Sequence, residues 1–423
     1  MDNGINNTPL GQSLTKKGKT TRTAILEMAH EVFKEFGYYG SSVSEVTRRC
    51  GVSMGTFYRY FRNKEQVFLE LNDLIISRFV TQAASLPTEG PDFEERFRKA
   101  LHLLYNHTKD NFAFNRILGE SELIDRVTIG YYDSIARYYR NFLRIGAQNG
   151  HIRLLDPNMV AYGLIGLCYF NSLDWGTEDI GFSQEQVVDL IMDLIMNGIS
   201  GPTPWKRSSG WSLLTMPDPT PLHSENRGPL TKGEETRQAL FRAGEKVFGQ
   251  HGINRANIAE ITRGAGVAQG TFYVHFESKD DLIEGFVKHI NHQMRRELQR
   301  VVVRTQDRRD AERVGILAFF DFLRKHREIY RMVPECEMIS REVALWYYEK
   351  MAQGYSKGLR QGIQKGEIRD FPAVFLTRSL MGFTHFIALK WIVWNTAPQA
   401  EISNQMFQDI IEFLFFGLRP SRK

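Results

Sequence analysis

Two stretches of this 423-residue chain, 215 positions apart, carry nearly the same sequence. The first starts at Thr21 and runs to GVSMGTFYRYFRNK at residues 51–64; the second starts at Thr236 and runs to GVAQGTFYVHFESK at residues 266–279. A solenoid repeat would recur every 20 to 50 residues or so, so a single recurrence at this distance is a duplicated unit. Each copy contains two short helical patterns separated by a glycine turn, at Gly51-Val52 and Gly266-Val267. That is the layout of a helix-turn-helix, which places its second helix in the DNA major groove.

The duplication continues past these segments. Leu143 to Arg153 (LRIGAQNGHIR) matches Leu359 to Arg369 (LRQGIQKGEIR), and the stretch ending at Trp175 matches the one ending at Trp391. Apolar patterns of period 3.6 run through both halves, without alternating β-branched runs. The fold class read from this is all-α: two tandem units, each a helix-turn-helix head on a larger helical body. Six of the fourteen prolines fall between Ser200 and Thr231, among Gly, Ser and Thr, which marks a linker. About 30 residues reach roughly 100 Å at most, enough for the second half to dock on the first.

The boundaries expected are a basic disordered arm at 1–19, a first head at 20–66, a first body at 67–199, the linker at 200–231, a second head at 232–281 and a second body at 282–418. The arm ends in Lys16, Lys17 and Lys19; a solvated tail is favoured over an arm that tracks DNA. The last two helices of each body are expected near 157–174 and 184–199, and near 372–394 and 404–418.

A net charge of +5 suits a nucleic-acid partner without requiring one. Cys50, Cys168 and Cys336 sit singly, without metal-ligand or disulfide spacing. No apolar run reaches the roughly 18 residues a membrane span needs, and no signal-peptide core is present. These features point to a cytoplasmic protein with no membrane partner, no metal and no cofactor. Phosphate loops, metal-ligand sets and nucleophile elbows are missing, so the reading is not an enzyme.

In the first head, a helix over about Thr20 to Phe36 places Ile25, Ala29, Val32, Phe33 and Phe36 on one side, and Gly37 ends it. Ser42 caps the next helix and Ser53 the recognition helix. There Phe57 and Phe61 face the core, while Thr56, Tyr58 and Arg59 project outward. A hydroxyl, a phenol and a guanidinium suit phosphate oxygens and base edges. Asn63 caps the following helix, with Gln66 completing a capping box, and puts Lys64 in its first turn, where amides and the dipole attract phosphate.

These residues resemble the tetracycline-repressor (TetR) family of transcriptional regulators, whose heads share a GVS-x-GT-[FL]-Y-x-[YH]-F-x-[NS]-K core. The motif spans about 45 residues with its preceding helices, occurs twice, and each time precedes a helical body. The resemblance implies DNA contacts at Ser42, Ser44, Thr56, Tyr58, Tyr60 and Lys64, and at the matching Asn257, Thr271, Tyr273, His275 and Lys279. Ala259 departs from the polar or basic residue often found there.

The heads are unequal. Residues 41–64 carry five basic side chains and Glu45 alone, a net of +4, whereas 256–279 balance to zero. Arg59 has become Val274 and Arg62 has become Glu277. Because phosphate neutralisation supplies most non-specific affinity, the second head is expected to bind more weakly by itself. Either the protein reads an asymmetric operator, the reading favoured, or the first head does nearly all the binding; an interaction scaffold is the alternative outside DNA recognition.

The resemblance further implies a repressor released by a small-molecule effector, and dimerisation through the last two helices of each body. One fused chain is then a pseudo-dimer, with a homodimer of fused chains as the alternative. Candidate pocket residues are His102, Tyr105, Phe112, Phe114, Glu120, Tyr131 and Tyr138 in the first body, and Phe319, Phe322, Met332, Glu335, Trp346, Tyr347, His385, Phe386 and Trp391 in the second. Arg116, Glu120 and Glu122 recur as Arg331, Glu335 and Glu337, either helix-surface pairs or polar anchors in the pocket. Bulky apolar or aromatic effectors, fatty-acyl derivatives among them, fit the composition and the family's habit.

Overall fold

The computed structural model describes residues 14–119, 127–173, 181–207, 231–327, 330, 340–395 and 402–420. Glu120, Glu122, Arg331, Met332, Glu335, Glu337 and Cys336 lie outside the described residues. Those described form helices joined by turns, with one isolated β-bridge between Ser200 and Ile368.

The first head is built from α1 (Lys16–Gly40), α2 (Val43–Cys50), α3 (Met54–Tyr60) and the start of α4 (Lys64–Ala84). Helix α1 begins four residues before the expected boundary, because the Thr15 hydroxyl accepts from the Gly18 amide and caps it. Lys16, Lys17 and Lys19 therefore belong to a helix rather than to an arm. Gly37 breaks the helix where expected, at φ 70° and ψ 179°, a conformation open to glycine, and a short turn runs on to Gly40. Gly51 closes α2 in the left-handed region and donates to the Arg48 carbonyl.

The first body comprises the rest of α4, α5 (Phe93–Asp110), α6 (Phe112–Ile117), α7 (Ile129–Gln148), α8 (Pro157–Ser172) and α9 (Gln184–Asn197). The second half repeats the plan. Its head is α10 (Lys232–Arg255), α11 (Ile258–Ala265), α12 (Gln269–His275) and the start of α13 (Lys279–Val302). Its body continues with α14 (Arg308–Lys325), α15 (Arg341–Gln364), α16 (Ala373–Ala388), a π-turn over Leu389–Val393, and α17 (Asn404–Phe416).

The two halves meet along α8 and α16, with α9 and α17 beside them. Gly166 and Gly382 face each other at the crossing: a Cβ on Gly166 would lie 2.1 Å from the Gly382 carbonyl oxygen, and one on Gly382 2.2 Å from that of Gly166. Glycines there let the backbones approach closely.

At the far end the halves exchange matching contacts. The Arg153 amide donates to the Leu418 carbonyl, and the Arg369 amide to that of Ile199, each at 2.9 Å. The Arg153 guanidinium donates to the Gly417 carbonyl and pairs with Glu412 at 2.7 Å. Arg369 does the same with Gly198 and Asp193, at 2.9 and 2.8 Å. Reciprocal pairing of this kind is the mark of an isologous interface, realised here within one chain. These arginines end the repeated sequences from Leu143 and Leu359, which gives that repeat its structural reason.

The first residues of the expected linker are docked. Gly201 and Thr203 donate to the Glu367 and Gly366 carbonyls, and Trp205 packs against Phe415, with ring centroids 4.9 Å apart. The Arg309 guanidinium sits 5.1 Å from the Trp205 ring and donates to the Thr203 carbonyl. The second half thus holds the outgoing chain before the linker proper begins.

Candidate nucleic-acid interface and effector cavity

Each recognition helix shows one apolar face to its head and a polar face outward. Phe57 and Phe61 are buried with centroids 5.6 Å apart, and Phe272 and Phe276 repeat this at 5.6 Å. Outward stand Tyr58 and Tyr273, 50% and 55% exposed, so the two phenols are equally available. Ser44 and Arg59 are exposed, and Thr56 and Thr271 half-buried at the helix starts. Ser42 and Asn257 are exposed N-caps whose side chains accept from the Glu45 and Glu260 amides. Ser53 caps α3, but Ala268 stands at that position in the second head and offers no side-chain cap. His275 is half-buried, and its carbonyl accepts from Arg237.

Three expected contacts need correction. Tyr60 is only 6% exposed and belongs to the head's core. The Lys64 ammonium donates to the Tyr38 and Ser41 carbonyls and lies 4.3 Å from the Tyr38 ring centroid. Lys279 likewise donates to Ile253 and Ala256, at 2.9 and 3.2 Å. Both lysines fasten the end of the first helix of the head to the start of the fourth. Sequence reasoning placed them in the correct turn, but a first-turn position does not reveal which way a long side chain folds.

Charge on the first head is also partly committed. Glu45 pairs with Arg48 and Arg49 at 2.6 Å, and Arg49 also reaches Glu35 at 2.5 Å. Hydrogen bonds from Arg48, then Arg49, hold the Glu45 carboxyl down to about 2. Arg59 is exposed, as is Arg62. In the second head Val274 is 79% exposed at the position of Arg59. The difference between the heads therefore falls on the outward face of the recognition helix.

A cavity of about 430 Å³ opens in the second body. Its apolar walls include Met294, Ile316, Phe319, Tyr347 and His385, and Arg295, Gln299 and Arg308 stand among its polar groups. The Arg308 guanidinium is paired with Glu312, whose other oxygen accepts from the Tyr355 hydroxyl. Burial holds the His385 imidazole neutral, with its pKa pushed down to about 3. Burial similarly takes His107 in the first body to about 4.

Of the described pocket candidates, Phe319, Tyr347 and His385 line this cavity, and Phe114, Tyr138 and Phe386 stand outside it. So do His102, Tyr105, Phe112, Tyr131, Phe322, Trp346 and Trp391. Tyr105 donates to the Asn171 carbonyl, Tyr131 is hydrogen-bonded to His107 at 2.8 Å, Phe322 packs on His326, and Trp391 packs on Tyr162 across the halves. His102, Phe112 and Trp346 are half-buried elsewhere. Aromatic residues at helical spacing serve core and cavity alike, so spacing alone does not separate them.

Two helix-turn-helix heads on paired helical bodies define a DNA-binding transcriptional regulator, and comparison with known proteins agrees. The model of bacterial regulatory proteins of the tetR family matches residues 25–71 and 240–285. Among relatives, the uncharacterized HTH-type transcriptional regulator YhgD of Bacillus subtilis is 24% identical, covering 42% of this chain and 95% of its own length. The fatty acid metabolism regulator protein of the same organism is 26% identical, over 41% and 93%. The solved fatty acid degradation regulator FadR from Bacillus halodurans is similar over 43% of this chain and 96% of its own, at 22% identity and a TM-score of 0.37. Nearly whole relatives align with less than half of this chain. The two heads belong to the tetR family of bacterial regulatory proteins, and the chain carries two such units in tandem. Among the described residues no helix is long and apolar enough to cross a membrane.

Proposed function

We propose that the protein is a repressor that reads an asymmetric operator as a single-chain pseudo-dimer and leaves it when a small apolar molecule enters the second body. The observation that carries the asymmetry is the contrast across the recognition helices. Tyr58 and Tyr273 are equally exposed, yet Arg59 beside the first is replaced by the exposed Val274 beside the second. Both heads keep a phenol and a threonine that suit base edges and phosphates, but they present different chemistry to the groove. DNA contact is assigned to Ser42, Ser44, Thr56, Tyr58 and Arg59, and to Asn257, Thr271 and Tyr273. His275, half-buried like Thr56 and Thr271, is assigned with them.

An apolar effector is supported by the cavity's lining. A fatty-acyl compound with an anionic head, set against Arg295 at the polar side, is the form that fits best. The name of the fatty acid metabolism regulator of Bacillus subtilis is consistent with it.

Selection of bound duplexes from a random pool by the full-length protein tests the DNA reading. Two unlike half-sites about one helical turn apart are expected. Tyr273→Ala should remove the second half-site from the footprint and Tyr58→Ala the first. A footprint untouched by Tyr273→Ala would assign recognition to the first head alone, a palindrome would mean that two chains associate, and no enrichment at low salt would leave the scaffold reading.

A further inference from the structure

Among the described residues, rings stand at positions of the first body that match the open side of the cavity. Helices α5 and α14 are each 18 residues long and begin after Asp92 and Asp307, so Phe97 stands where Glu312 does and Ala100 where Gly315 does. In α7 and α15, where Leu143 matches Leu359, Tyr138 stands where Gly354 does. The Phe97 and Tyr138 rings pack on Phe142 at 5.3 and 6.3 Å, and Phe79 lies 6.4 Å from Tyr138. Rings fill the first body. At Gly354 an added Cβ would meet nothing within 4 Å.

The cavity is also walled by both halves. Phe170, from α8 of the first half, lines it and packs on His385 and Tyr348 with centroids 5.2 and 5.8 Å apart. Behind that wall, His385 is hydrogen-bonded to the Tyr330 hydroxyl. These two residues also face a smaller void of about 50 Å³, whose other walls include Asn115, Leu118 and Gly119 of the first half. Asn115 lies on α6, where Phe114 is stacked on Phe68 of α4 at 5.2 Å and meets His30 of α1 edge-on at 6.2 Å. Across that void, residues of the second body's cavity thus stand opposite the helix whose Phe114 packs on the helices of the first head. On the cavity's other side, Met294, Leu298 and Val302 belong to α13, which enters the second head directly.

We propose that the cavity of the second body controls the first head across the interface between the halves, so that one effector site serves both heads. The inference rests on the effector-release reading above and adds which half senses and which head obeys. A head that has kept its charge but filled its own cavity then takes its signal from its partner. Spatial continuity marks out the route, and measured coupling establishes it.

The apolar anion 1-anilinonaphthalene-8-sulfonate, which fluoresces in apolar cavities, serves as the probe. The full-length protein should take it up, and Gly354→Tyr, which restores the first body's residue, should abolish uptake. In the Tyr273→Ala protein, whose second head is disabled, saturating probe should still weaken binding to the selected operator by at least about fivefold, within the usual range of coupling between two sites. Probe uptake should also change amide hydrogen exchange in α6 and in the Ile25 to Phe33 stretch of α1, with no DNA present. Loss of the DNA effect in Tyr273→Ala, unchanged exchange in those helices, or no uptake would each overturn the proposal. Changed exchange in a protein that binds no DNA would uphold the route while the repressor reading failed.

Discussion

Lys64 and Arg59 lie five residues apart in one motif, and the structure gives them opposite work. The Lys64 ammonium bonds two carbonyls inside the head, whereas Arg59 is exposed on the recognition helix. Lys64→Met leaves both carbonyls without their charged donor, and hydrogen bonds to charged groups contribute about 1.5–3 kcal/mol. Chemical denaturation should show a loss of that size. Arg59→Ala should leave the unfolding curve in place, relax base preference in the first half-site and weaken operator binding, lowering the slope of log affinity against log salt by about 1. Anisotropy titrations across a salt series read it. A reversed pattern, with stability kept and the slope lowered in Lys64→Met, would return Lys64 to the phosphate. Residue types told little here: a lysine and an arginine in one basic motif read alike until their partners are known.

At the scale of elements, the turns and caps were the legible part. Ser42, Gly51, Ser53 and Asn63 occupy the cap positions their sequence spacing suggested, because cap chemistry is local and depends on a few neighbours. Phe319, Tyr347 and His385 were legible as cavity candidates, but aromatic spacing taken one half at a time did not separate them from packed residues such as Tyr105 and Trp391. The cavity becomes visible when the halves are laid over each other, since Tyr138 against Gly354 and Phe97 against Glu312 mark where one body is filled and the other open. Gly166 and Gly382 are a similar case: small residues in two apolar helices, meaningful only once the helices are paired. Gly166→Leu forces a side chain into the Gly382 backbone, and overpacking of this kind typically costs about 1–3 kcal/mol. Gly130→Ala, where an added Cβ meets nothing within 4 Å, should be near neutral or slightly stabilising. Thermal unfolding of the two variants checks the contrast; equal midpoints would mean that the α8–α16 crossing does not hold the halves together.

Duplication and fusion change what the whole molecule depends on. In a dimer of separate chains the partner must be found at cellular concentration, while a tether of this length keeps it at an effective concentration in the millimolar range. Yet the chain also builds an interface that resembles one made to stand alone. Its apolar helices cross at facing glycines, and each half's arginine closes the other's last helix through Arg153 with Glu412 and Arg369 with Asp193. The outgoing chain is held as well, by Gly201, Thr203 and Trp205 on the second body. If those contacts suffice, the segment from 208 to 230 is needed to bring the halves together but not to keep them together. A protease site introduced in that segment separates the two requirements. After cleavage, the two pieces should elute as one species of unchanged size at micromolar concentration and bind the selected operator as tightly as the intact chain. Pieces that part on the column would show that the tether, rather than the interface, maintains the pair, and the asymmetric operator would then be read only while the chain is whole.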